Sequence, residues 1–523
     1  MSPTTMRRFG ATAASVAALL GLALIVPGQA MAQKTITIVV PEEPDSLDNC
    51  NANRSNVGRI LRMNVNESLI ELDPNDGSLM PRLATSWKMI NPTTWEFKLR
   101  PNVKYSDGSP LTISAIRSSV DKALSKDIDC NARTKLFSDI TLKFVEIDPL
   151  TMNIITSSPE PILPIRMSTI TIGAPNEKIA ILNTSVGTGP YMLDYWKANT
   201  EIVLKRNPHF WGKKPLLDGA KYVWRNESAV AAAMVEVGEA ELATNINQDD
   251  ATNPETDFAY PNSETNYLRI ESEVAPLNDK RVRLALNHAV DREAMHGGII
   301  PKDAMIATQM VIPRINGHNH KLDKQRFAYD PALAKKLLAE AKADGVAVDT
   351  EIELICRINM WANTTETCEA IHAMYSDVGF NIKLKMLEVS LWNDFNAHPN
   401  KGEYTPAGDS KIKGRAPVLL GHQHDNNIGD PIFSMYNKFG CKAQTSSHCY
   451  PALDAQIADA SRTPAGPERI AKWQESMRMV HEDYVADVFL YHMVGFARVS
   501  PKINFVPTAA TNSEVLLEQI TFK

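Results

Sequence analysis

The stretch DPALAKKLLAEAKADGVAVDTEIELICRINMWANTTETCEAIHAMYSDVGFNIKLKML, residues 330–387, decides the fold class. Asp330 stands where a side-chain oxygen can take up the first free N–H groups of a helix. Pro331 follows in the first turn, where its missing N–H costs nothing. Leu333, Leu337, Leu338 and Ala341 recur with a period of three to four residues, and Gly345 closes the pattern. A β-rich run over 350–357, a helical pattern over 364–378 and a second β-rich run over 381–387 come next. Strand, helix, strand in that order requires a crossover, so the two strands lie parallel with the helix on one face of their sheet. The chain is therefore read as α/β.

Working outward, 279–296 reads as one helix with Val282, Leu284, Ala285 and Ala289 on one side. The N-terminal half has strand signals at 35–40, 94–99, 151–156 and 200–205. A helix is predicted over 112–124, with Thr112 or Ser114 as its cap. No internal repeat or low-complexity segment is evident. A chain of 523 residues is too long for one ordinary core, so two or more lobes are expected.

The first residues point to export. Arg7 and Arg8 precede an apolar run over 11–26, and Ala30-Met31-Ala32 is the small-x-small pattern of a cleavage site, which predicts a signal peptide over 1–32. The apolar run is shorter than the about 20 residues that a membrane span needs. Loss of Arg7 and Arg8 would leave 53 basic against 61 acidic residues, a net charge of −8. With no basic run, that balance argues against nucleic acid as a partner. All six cysteines (Cys50, Cys130, Cys356, Cys368, Cys441 and Cys449) follow the leader. An even number in an oxidising compartment favours disulfides, whose connectivity the spacing leaves open. There is no C-x-x-C, and hence no support for a zinc ribbon or redox motif.

Four segments in order then carry a resemblance: RLATSWKMINPTTWEFKLRPNVKYSDGSPLT (82–112), VGTGPYMLDYWKANTEIVLKRNPHFWGKKPLLDGAKYVW (186–224), PLNDKRVRLALNHAVDRE (276–293) and YDPALAKKLLAEA (329–341). Together they resemble the solute-binding proteins of dipeptide, oligopeptide and nickel ABC importers, most closely the dipeptide-binding branch. The resemblance implies a two-lobed periplasmic binding protein of type II, class C, hinged on two crossing strands. Lobe I would comprise 33–276 plus 495–523, with an inserted subdomain at about 75–180. Lobe II would comprise 277–494. It also implies a monomer without a cofactor that delivers its ligand to a membrane permease. Use by a chemoreceptor is compatible with this.

The polar run GHQHDNNIGDP, 421–431, resembles a stretch at a strand end facing the cleft in dipeptide binders. By position Asp425 inherits the grip on a ligand ammonium, with Asn426 beside it. Asp430, just ahead of Pro431, is read as a turn residue. His422 and His424 alternate, so they share a strand face as a metal pair would, but no third ligand is identifiable; stacking on ligand is the preferred role. Arg357 matches an arginine that binds the peptide carboxylate, for which its planar fork is suited. Trp361 and Trp392 are candidates to sandwich a side chain, and Arg54 and Ser55 in the loop 49–56 are candidates from the first lobe. Among cysteines, the resemblance pairs Cys441 with Cys449. Cys356 and Cys368 would join a strand end to the following helix, leaving Cys50 and Cys130. An exported hydrolase is the rival class, but G-x-S-x-G and H-E-x-x-H are both absent. Gly187-Thr188-Gly189-Pro190 lacks the Lys-Ser/Thr of a nucleotide loop. A zwitterion, with a peptide foremost and opines or sugar phosphates behind it, is the expected ligand.

Overall fold

The computed structural model describes residues 34–48, 50, 55–73, 77–128, 130, 132–137, 140–175, 180, 184–426, 429–511 and 514–523. The expected leader and its cleavage point lie outside the described residues, as does Arg54. Ser55 opens the short helix Ser55–Ile60, but its side chain is not described.

The strand–helix–strand reading holds. Asp330 accepts a hydrogen bond from the Leu333 N–H at 2.8 Å, and the helix runs Pro331–Ala343. Strand Ile352–Arg357 pairs in parallel with Ile382–Leu387, and helix Thr364–Asp377 crosses between them. Residues 352 to 356 are all buried, as expected of a parallel strand covered on both faces. Ala334, Leu338, Leu354, Tyr375 and Leu419 belong to one core around this unit. One expectation fails: 279–296 is two helices, Lys280–Ala289 and Arg292–Met295. The break follows from Asp291, which caps the second helix through the Ala294 N–H at 2.9 Å. Arg292 then turns inward to donate to the Phe489 carbonyl at 2.7 Å.

Among the described residues eleven strands join one mixed sheet. From one edge the order is Ile382–Leu387, Ile352–Arg357, Val418–Asp425, Asp257–Ile270, Val488–Val499, Leu242–Ile246, Thr35–Val40, Gly219–Trp224, Glu201–Arg206 and Tyr191–Lys197. Met305–Ile306 pairs beside this path with Val488–Val499. A separate antiparallel sheet is built from Ala84–Asn91, Thr94–Leu99, Thr151–Thr156 and Leu142–Asp148.

The two long central strands, Asp257–Ile270 and Val488–Val499, are antiparallel and serve both halves of the large sheet. The stretch 264–270 also pairs with Val418–Asp425, while 496–499 pairs with Leu242–Ile246. Their mutual register slips between Pro261 and Thr265 and again between Asn266 and Tyr267. Pro261 has no N–H to give to a ladder, so the first slip sits where pairing is weakest.

The three disulfides are the expected ones: Cys50–Cys130, Cys356–Cys368 and Cys441–Cys449, with Cα separations of 5.2, 6.7 and 4.4 Å. The Gly187-Thr188-Gly189 turn is a close backbone approach. A Cβ on Gly187 would lie 1.8 Å from the Val65 carbonyl oxygen, and one on Gly189 would lie 2.5 Å from that of Asn64.

Asp430 is held by structure. Its oxygens accept from Arg469 Nε and Nη2, both at 2.8 Å, and from the Ile432 N–H at 3.0 Å. Arg469 also donates to the carbonyls of Ala460, Ser461 and Thr463, so this buried guanidinium stitches helix Pro451–Arg462 to the end of the polar run. Arg469→Ala leaves a carboxylate buried without its cation. It should lower unfolding stability by about 3–5 kcal/mol in denaturant titration, and the double variant with Asp430→Ala should recover part of that loss.

Candidate ligand-binding site

A cavity of about 800 Å³ opens at the end of strand Val418–Asp425. One part of its wall comes from Arg62, Met63, 71–73, Gly77, Leu136, Thr169 and side chains of the C-terminal stretches 505–511 and 514–519. The other comes from Arg314, Ile315, Arg357, Met360, Trp392, Asn396, 422–425, Gly429 and several side chains between 433 and 445. The volume lies within the usual range for small-molecule sites. Where the two parts meet, Gly77 and Gly429 face each other, both with positive φ. A methyl built on Gly77 would sit 3.5 Å from the Gly429 Cα.

Asp425 is exposed toward this cavity and accepts a hydrogen bond from Ser263 Oγ. Antiparallel pairing puts Glu264 directly opposite it, and residues opposite in register share a face. Burial first, then the neighbouring Asp425 charge, push the Glu264 carboxyl up to about 7 against the opposing pull of Arg59. Two carboxylates side by side are stable when a cation joins them. Arg59 and Arg314 both feel the Asp425 charge, and Arg357 feels that of Glu264.

Arg357 ends its strand half-buried in the cavity wall, with its guanidinium 5.7 Å from the centre of the Trp392 ring. Among the described residues its guanidinium makes no hydrogen bond or ion pair. Burial lowers its pKa, which marks a cation without a full set of partners, poised for an anionic group. Trp392 is buried, donates its indole N–H to the Gly421 carbonyl at 3.0 Å and stands edge-on to His422. Trp361 is buried away from the cavity-lining set, with its backbone N–H bound to Thr364 Oγ1.

His422 and His424 both line the cavity. His422 stacks on Tyr267, with ring centres 5.2 Å apart, so its aromatic partners come from the protein. The Gln423 carbonyl can only accept, so His422 Nδ1 carries the proton. Nε2 then accepts from the Lys438 ammonium at 3.2 Å. Burial, then Lys438, holds the imidazole well below its ordinary pKa. A lone pair facing an ammonium is not offered to a metal. His424 Nε2 is bonded to Ser434 Oγ at 2.8 Å. Asn426 is buried outside the lining set. Its amide spans Ser263, Thr265, Met310 and His424, and its oxygen accepts from Ser434, so it fixes the strand end.

Sequence reading missed Arg314 and Lys438 on this wall, and Glu264 at its margin, opposite Asp425 in the strand pairing. On the other wall it missed Arg62, paired with Glu514 at 2.7 Å, and Glu71, which burial lifts to about 7. These residues come from scattered elements with no spacing in common. The Glu264–Asp425 register is the one signal that a strand alignment would have exposed.

Three relatives place the chain. The dipeptide-binding protein of Escherichia coli (strain K12) is 23% identical over 473 residues, 82% of this chain and 83% of the relative. The ABC transporter-associated periplasmic binding protein DppA from Helicobacter pylori, solved with the peptide STSA, superposes with a TM-score of 0.76 at 17% identity, covering 93% of this chain and 98% of that one. A dipeptide-binding protein from Pseudoalteromonas sp. SM9913, solved with Met-Leu, gives 0.76 at 16% identity over 94% and 100%. These structures establish the two-lobed periplasmic-binding-protein fold. The model of the bacterial extracellular solute-binding proteins, family 5, matches residues 78–445. By that match and this fold, the chain belongs to the bacterial extracellular solute-binding proteins of family 5.

Proposed function

We propose that this protein is the periplasmic binding component of an ABC importer that captures a small peptide or peptide-like zwitterion. The observation that carries the reading is a cavity of about 800 Å³ with adjoining acidic and basic groups, Asp425 and Glu264 beside Arg357 and Arg314. A ligand ammonium would bridge the carboxylates, and its carboxylate would take the Arg357 fork. Trp392 supplies an apolar wall, while Asn426 and Trp361 act from behind it.

Lobe I is assigned to 33–276 plus 495–523, with the inserted subdomain at about 75–180, and lobe II to 277–494. Cavity residues from both spans support this division, as do the register slips in the two long strands that would cross between them. Ligand bridging both lobes favours the closed form, which the membrane permease then reads. The leader is removed after Ala32 and the mature chain acts as a monomer in the periplasm; a chemoreceptor could read the same closed form. No reaction is needed. Ser272, His448 and Asp487 do form a hydrogen-bonded chain, at 2.7 and 3.1 Å, but all three are buried at 2% exposure or less, out of reach of a substrate.

Solute released from the denatured protein and identified by mass spectrometry should be a peptide or peptide-like zwitterion. In a thermal-shift panel of dipeptides, tripeptides, opines and sugar phosphates, one class should stand apart. At a hundredfold excess over Kd it should add about 2.7 kcal/mol. No response from any class would overturn the assignment.

Asp425→Asn keeps shape and removes charge. Because Asp425 is solvated before ligand arrives, folding should be nearly unchanged. Affinity should fall by about 1.5–3 kcal/mol, roughly ten- to a hundredfold or slightly more, in calorimetric titration. Asp430→Asn should spare affinity by comparison. Equal affinity in wild type and Asp425→Asn would remove the ammonium contact.

Glu264 gives a pH signature. Its carboxyl holds a proton up to about pH 7 in the ligand-free protein, and a bound ammonium favours the ionised form, so binding releases that proton. Affinity should therefore rise with pH up to about 7 and level off above it, approaching tenfold per unit on the acid side. Glu264→Gln should flatten the profile. A flat wild-type profile would take Glu264 out of the site.

A further inference from the structure

Outside the ligand cavity, the sequence GHNHKLD, 317–323, gathers two imidazoles and a carboxylate. Donor atoms of His318, His320 and Asp323 all lie within 4.8 Å of one another. The His318 side chain is 1% exposed, Asp323 23% and His320 70%, so the cluster runs from the interior to the surface.

The hydrogen-bond pattern fixes what His318 offers. Its Nδ1 lies 2.8 Å from the Val311 carbonyl, which can only accept, so Nδ1 carries the hydrogen. In the neutral ring Nε2 then presents a lone pair, and it points at both oxygens of Asp323, 2.9 and 3.1 Å away. A lone pair facing a carboxylate is repulsive unless a proton or a metal cation lies between them. The Gln309 amide nitrogen approaches Nε2 at 3.2 Å but also serves the Asn319 carbonyl at 3.0 Å. On the outer side His320 Nδ1 lies 3.3 Å from Asp323 Oδ2. Donors around a tetrahedral zinc ion at about 2.0–2.1 Å stand roughly 3.3 Å apart; the Asp323 distances are already near that spacing, and the two imidazole donors, within 4.8 Å, need to draw together.

The loop is held in place without a metal. Asn319 donates to the Gln474 carbonyl at 3.0 Å, and Gln474 returns a bond to the His318 carbonyl at 3.1 Å. A backbone carbonyl orienting the far nitrogen of a ligating histidine is the usual outer support of a metal site.

We propose that His318, His320 and Asp323 form a binding site for a divalent transition-metal ion of zinc-like character, separate from the ligand cavity. Two imidazole nitrogens and one carboxylate suit such an ion, and a water completes the tetrahedron. The site lies on the segment that carries Arg314 to the cavity wall, three residues before Gly317.

The test uses the mature full-length protein, stripped with chelator and dialysed. Zn²⁺ titrated by calorimetry should show one saturable site, and Co²⁺ should give visible absorption of tetrahedral character. His320→Ala, at an exposed position that folding does not need, and Asp323→Asn should each weaken Zn²⁺ at least about tenfold. His424→Ala, in the ligand cavity, should leave Zn²⁺ affinity unchanged. Absence of saturable Zn²⁺ binding in wild type would overturn the proposal. So would binding that survives both His320→Ala and Asp323→Asn, or that is lost in His424→Ala.

Discussion

A single pair of antiparallel strands, Asp257–Ile270 and Val488–Val499, has to satisfy two sheet halves at once. Every backbone N–H and C=O along a buried strand needs a partner. The two strands find theirs in each other and, at opposite ends, in Val418–Asp425 and Leu242–Ile246. The price is irregularity in the middle, where Pro261 cannot donate and the register slips. A ladder already broken there resists bending less than an intact one, while each end stays anchored by its own neighbours.

The site inherits its character from that arrangement. Glu264 begins the stretch paired with Val418–Asp425 from within the first slip, and register brings Asp425 opposite it. The charge crowding at the cavity is thus a product of strand pairing rather than of any local motif. Around it the protein spends its polar groups on rigidity: Asn426 on the strand end, Lys438 on His422, Arg469 on Asp430. A ligand bound as proposed would meet a wall whose side chains are already fixed, and less ordering would remain for binding to supply.

Sequence made the capped helix and the parallel unit after it legible because those signals are local: a cap, a proline, a period. The helix break at 290–291 was hidden because Asp291 interrupts a pattern that hydrophobic spacing alone carries through. Asp425 and Arg357 were reached through resemblance, and both line the cavity. Trp361 and Asn426 lie near the same elements but behind the wall, a distinction of depth that a one-dimensional pattern does not encode. Glu264, Arg314 and Glu71 were illegible for the opposite reason. They sit in unremarkable stretches and reach the cavity or its margin only because distant strands and loops converge. The polar cluster at 421–431 also drew notice away from His318 and His320, which have the same His-x-His spacing and a nearby acid.

The facing glycines at 77 and 429 set how the two rims of the cavity touch. Each holds a positive φ that L side chains rarely adopt, so backbone conformation rather than space favours glycine at both. A Cβ on Gly77 would be in ordinary van der Waals contact, 3.5 Å from the Gly429 Cα. The two rims therefore meet main chain to main chain, and the shape of that junction does not depend on any side-chain rotamer.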